Sequence, residues 1–156
     1  MIKNLFVLPI LILILTSCGF KVVDKSKFND FSIQNIDTAG DNRTNFKLKN
    51  YLLNTDNENS ENTLVINLNT KKVKSVKEKN LKNEITKYQI NINTKVEVEN
   101  RLRNLRFSSN ISVSGDYLVG DNYSTTINNE KKLINDLVET LSKKILDNIN
   151  LKLNDL

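Results

Sequence analysis

Between Tyr88 and Glu99 the chain alternates without a break. Tyr88, Ile90, Ile92, Thr94, Val96 and Val98 fall on one side, and Gln89, Asn91, Asn93, Lys95, Glu97 and Glu99 on the other. Successive side chains of a strand point to opposite faces, so this is a strand with one buried and one wetted face. Phe107, Ile111, Val113 and Tyr117 repeat the pattern, with Ser109 and Gly115 at the remaining same-face positions. A turn through Asn100 to Asn104 would join the two as an antiparallel hairpin. A half-buried sheet needs a cover, and the end of the chain offers one. Leu133, Ile134, Leu137, Val138, Leu141, Ile145, Ile149 and Leu153 recur at three and four residues, with no Gly or Pro between Glu130 and Leu153. This predicts an amphipathic helix of about six turns whose stripe docks on the sheet.

The elements before the hairpin complete the architecture. Phe31 to Ile36 reads as a short first strand. Ile36 to Asn42 is rich in Gly, Asp and Asn and predicts a turn. Arg43 to Leu53, with Phe46, Leu48, Tyr51, Leu52 and Leu53, fits a half-buried helix capped by Asp41 or Asn42. Asn54 to Asn62 is wholly polar and predicts a solvated loop. Leu64, Ile66 and Leu68 share one face of a further strand, which the basic stretch Lys71 to Lys77 either extends or bends. Strand, helix, three strands, helix gives an α+β two-layer sandwich: a mostly antiparallel four-stranded sheet packed against two helices. No repeat or linker suggests a second domain.

The N-terminus decides where this domain works. Lys3 precedes an apolar run from Leu5 to Leu15, a secretory signal by its pattern and shorter than the roughly 20 apolar residues a spanning helix needs. Leu15-Thr16-Ser17-Cys18 closes it and resembles a bacterial lipobox, which implies that Cys18 is lipidated and begins the mature protein. Cys18 is the only cysteine, and thioether attachment of a lipid accounts for an unpaired cysteine in an exported chain. Residues 1–17 are then the signal peptide, 18–30 a lipidated tether and 31–156 a single domain of ordinary size, folded without disulfides. Gly19 follows the cysteine, in place of the Asp that enteric-type sorting uses for inner-membrane retention. The expected location is therefore the outer membrane, lipid-anchored, on the periplasmic side.

Composition narrows the chemistry. There is no His and no Trp. Histidine is the usual general base near neutral pH and the commonest metal ligand, so its absence removes many enzyme classes, and a lipidated Cys18 leaves no thiolate. No cofactor or metal is expected. The glycines form no phosphate-cradling loop, and no carboxylate pair is marked as an acid–base couple. The formal net charge of +5 is mild; with export, it suits an acidic lipid more than nucleic acid.

Cys18-Gly19-Phe20-Lys21 after the lipobox, the element order, and the closing run resemble the lipopolysaccharide-assembly lipoprotein family LptE. In that run Tyr117 to Ser124 leads into Glu130 and Leu137-Val138-Glu139-Thr140-Leu141-Ser142-Lys143-Lys144-Ile145. The resemblance implies a plug partner of the LptD β-barrel that assists lipopolysaccharide insertion and is not an enzyme. Its partners would be the barrel, lipopolysaccharide and, through the acyl chains, the bilayer. Alternatives are another outer-membrane lipoprotein scaffold, such as a barrel-assembly or ABC-transport auxiliary, and a carrier of a hydrophobic ligand, for which the strands and large apolar residues are too few.

Two basic groups are candidate lipopolysaccharide contacts. Lys71, Lys72 and Lys74 lead a run that continues through Lys77, Lys79 and Lys82, and beside Val73 and Val76 it could hold phosphates. Equally, the lysines could guard a strand edge. Arg101, Arg103 and Arg106 sit at the hairpin, where they suit phosphate or could pair with Glu97 and Glu99. Tyr88, Tyr117 and Tyr123 could meet a barrel wall, although Tyr88 and Tyr117 lie on apolar faces that suit core packing.

Overall fold

A computed structural model describes residues 31–55, 60 and 62–154. The expected signal peptide, Cys18 and the expected tether lie outside the described residues, as does part of the loop after residue 55. The elements are β1 (Ser32–Gly40), α1 (Asn42–Leu53), β2 (Thr63–Lys79), β3 (Ile85–Asn100), β4 (Leu105–Leu118) and α2 (Tyr123–Asn154). The strands form one open sheet in the order β1-β2-β3-β4. β1 runs parallel to β2, and the other two pairs are antiparallel. α1 packs on β1 and β2, α2 chiefly on β4, and the helices touch each other. The expected α+β two-layer sandwich is the fold observed.

Alternation places the core. Leu64, Ile66 and Leu68 of β2 and Ile90, Ile92, Val96 and Val98 of β3 are buried beneath the helices. From α2 come Leu137, Val138, Leu141, Ile145 and Ile149, and from α1 Leu48 and Leu52. Each such side chain stabilises the fold by about 1.5–3 kcal/mol relative to exposure. Among them Thr70 and Thr94, opposite each other in the β2–β3 register, share a buried hydroxyl–hydroxyl hydrogen bond of 2.8 Å.

Four sequence expectations are corrected. The first strand does not stop at Ile36: Asp37 to Gly40 pair in parallel with Asn67 to Thr70, because backbone pairing asks nothing of the polar side chains. The turn contracts to Gly40 and Asp41. Gly40 has φ +91°, and a Cβ there would lie 2.1 Å from the Thr70 carbonyl oxygen, so only glycine lets the chain leave the sheet so abruptly. Asp41 caps α1 by accepting the Thr44 N–H at 2.9 Å. The last helix starts at Tyr123, seven residues before Glu130, because Asn122 accepts the Thr125 N–H at 2.8 Å and caps it there. Finally, α1 buries Thr44, Asn45, Leu48 and Leu52, while Phe46, Tyr51 and Leu53 are exposed.

The basic stretch after Thr70 extends β2 through Lys79. β1 ends opposite Thr70, so from Lys71 onward one side of β2 has no neighbouring strand.

Candidate functional site

The structure divides the lysine run between the two faces of the sheet. Lys72 and Lys74 stand opposite the buried Ile92 and Ile90 of β3, so they lie on the helix-facing side. Lys71 stands opposite the exposed Asn93, on the wetted side. Each of the inner two has an acidic partner. Lys72 Nζ lies 3.2 Å from an Asp41 carboxylate oxygen, at the N-terminus of α1. Lys74 Nζ donates to Glu130 of α2 at 2.6 Å and lies 4.2 Å from the centroid of the Tyr88 ring. Tyr117, stacked on Tyr88 at 5.6 Å, donates its hydroxyl to the same Glu130 oxygen at 2.6 Å.

Charges in this cluster hold one another ionised. Burial pushes the Glu130 carboxyl up, but the hydrogen bonds from Lys74 and Tyr117 outweigh it and leave the group below its ordinary value. Burial likewise opposes the Lys74 ammonium, whose bonds to Glu130 and Tyr117 nonetheless raise it. Asp41 follows Glu130: burial raises it, and Thr44 and Lys72 bring it below the ordinary carboxylate value.

The arginines resolve differently. Arg106 stands opposite Glu99 in the hairpin register and donates to it at 3.0 Å, and Arg101 Nε lies 3.7 Å from the same carboxylate. Both are highly exposed. Among the described residues no ion pair involves Arg103. Tyr88 and Tyr117 pack against or within the core, and Tyr123 is exposed.

A groove between the helices was not foreseen from the sequence. It has a volume of about 640 Å³. Phe46 of α1 and Ile127 and Ile134 of α2 supply its apolar surface; Phe46 is 69% exposed. Arg43, Lys47, Lys72 and Lys131 bring positive charge to it, against the single carboxylate of Glu130. Lys47 Nζ donates to Asn135 across the gap between the helices. Thr44 also lines the groove, and its buried hydroxyl oxygen has no partner among the described residues. Apolar side chains ringed by cations can take an amphiphile with an anionic head. Nothing in the sequence pattern pointed to it, because the groove joins residues more than eighty positions apart.

No protein-family model matches the chain, and no curated protein matches it. Solved structures do. The chain resembles the rare lipoprotein B from Shewanella oneidensis, with 12% identity and a TM-score of 0.59, over 78% of this chain and 97% of that one. A putative lipoprotein from Caulobacter crescentus matches with 14% identity and a TM-score of 0.57, over 77% and 90% of the two chains. An uncharacterized lipoprotein B from Nitrosomonas europaea matches with 13% identity and a TM-score of 0.58, over 87% and 93%. At these identities the likeness is one of fold: the chain has the fold of these bacterial lipoproteins.

Proposed function

We propose that this chain is an outer-membrane lipoprotein, anchored by acyl chains on Cys18, that partners an LptD-like β-barrel and assists lipopolysaccharide assembly. The observation that carries the reading is a fold shared over nearly the full length of bacterial lipoproteins, in a chain whose own apolar N-terminal run closes on Leu15-Thr16-Ser17-Cys18. The groove supports it chemically. Lipid A joins phosphates to acyl chains; Arg43, Lys47 and Lys131 suit the phosphates, and Phe46, Ile127 and Ile134 suit hydrocarbon. Lys72 lines the groove but is held by Asp41. Lys74 is held by Glu130, Lys71 lies on the other face, and Arg101 and Arg106 serve the hairpin through Glu99. The role is binding and placement, with no covalent step.

Depletion of the protein tests this reading. Surface lipopolysaccharide should fall and the barrel's assembly should be impaired. If both are unchanged, the reading fails, and a barrel-assembly or ABC-transport auxiliary becomes the better account. In a binding assay, Lys47→Ala with Lys131→Ala should weaken lipopolysaccharide binding, as should added salt, and Lys71→Ala should not.

A further inference from the structure

We propose that the free edge of β4 is a homotypic docking surface, on which two copies of this chain pair β4 antiparallel to β4 with Ile111 at the two-fold axis. The inference concerns the sheet edge and is independent of the groove and its ligand.

β4 pairs with β3 and closes the sheet on that side. Its register with β3 runs from Leu105 to Leu118 with no bulge, and from Phe107 to Gly115 it carries neither a charge nor a proline. Lysines, prolines and bulges are what blunt exposed edges. The opposite side of the sheet has them: lysines and two register shifts mark the unpaired part of β2, and a further shift interrupts β1 at Ile33/Asn35. One edge is guarded and the other is left open.

The hydrogen-bond alternation shows which groups are on offer. The Val119 N–H donates to the Thr86 carbonyl at 3.0 Å, while the Leu118 carbonyl accepts from the Asn129 side chain instead of from β3. Alternate residues of an antiparallel strand bond the same neighbour. Odd-numbered residues of β4 therefore bond β3, and Arg106, Ser108, Asn110, Ser112, Ser114 and Asp116 turn their N–H and C=O groups to the open edge.

Charge then selects occupant and register. Arg106 and Asp116 are the only charged residues of β4, and both are exposed. With Ile111 at the axis, Arg106 faces Asp116 of the second copy, and symmetry repeats the pair. The other outward positions match Ser108 to Ser114 and Asn110 to Ser112. On the helix side, Phe107 meets the second copy's Gly115, and Ile111 meets itself; both Phe107 and Ile111 are half-buried and already packed on the core. Arg106 keeps Glu99 at 3.0 Å, since a guanidinium has donors for both carboxylates. A two-fold contact of this kind closes on itself and gives a dimer, with no filament.

Sedimentation equilibrium of the lipidated chain in detergent, over a concentration series, tests the proposal. The expected protein mass is that of two chains. Ile111→Cys should form a disulfide dimer on mild oxidation, because the axis brings the residue to itself. Ser109→Cys alone should not, because this register sets it opposite Val113. Arg106→Asp should weaken association about tenfold by creating two like-charge pairs, and adding Asp116→Arg should restore it. A monomer at every concentration, equal cross-linking of the two cysteine variants, or association indifferent to Arg106→Asp overturns the proposal. So does a foreign strand recovered on the edge of a monomeric chain.

Discussion

At Glu130 three elements meet on one carboxylate: Lys74 of β2 and Tyr117 of β4 both bond the α2 side chain at 2.6 Å. Glu130 titrates below its ordinary 4.5 and Asp41 below its ordinary 3.8, so their stabilisation is present above those values and is lost as pH falls through the lowered ones. Lys74 is raised above 10.5 and Tyr117 above 10.0, so theirs is present below those values and is lost as pH climbs through the raised ones. Stability followed by chemical denaturation should therefore show a plateau between roughly pH 5 and 9 and fall on either side. Glu130→Gln should lower the plateau by about 1 kcal/mol, the value of a charged hydrogen bond discounted for partial exposure, and should shallow both limbs. An unchanged pH profile would count against the cluster. Thr70 and Thr94 offer a second residue-scale test. Thr70→Val strands a buried hydroxyl and should cost about 1–3 kcal/mol, whereas Thr70→Val with Thr94→Val removes both partners and should be nearly neutral. Equal losses in single and double variants, measured by urea titration, would contradict the pairing.

α2 does two jobs along its length. From Leu137 to Leu153 it buries its stripe, and before that Ile127, Glu130, Lys131 and Ile134 wall the groove. Leu141 is fully buried, so Leu141→Ala should cost about 2–5 kcal/mol; a denaturation midpoint equal to the parent's would refute its place in the core. The C-terminal half was legible in the sequence because burial imposes the helical period. Tyr123 to Asn129 was not, because capping by Asn122 extends a helix through residues that bury little. The same reason hid Asp37 to Gly40, which join β1 by backbone pairing. Lys71, Lys72 and Lys74 were visible as a basic run, but which face each takes depends on β2 continuing straight past Thr70, and the run fits a strand or a bend alike. The groove was invisible, since Phe46 and Ile134 are brought together only by the packing of α1 beside α2.

At the scale of the whole molecule, the sandwich presents distinct surfaces: a cationic, partly apolar groove in the helix layer, a wetted polar sheet face, and one unguarded edge. The tether before Phe31 would hang these surfaces from the membrane. Mass spectrometry of the mature N-terminus should find Cys18 as the first residue, carrying acyl chains that at about 0.8 kcal/mol per buried CH₂ give long-lived attachment; an unmodified Cys18 peptide would contradict the anchor. Partnership with the barrel is the central claim, and isolation of the native lipoprotein from membranes in mild detergent tests it most directly. A large outer-membrane β-barrel of the lipopolysaccharide-export class should co-purify in stoichiometric amount. Recovery of the lipoprotein with no such barrel would contradict the account.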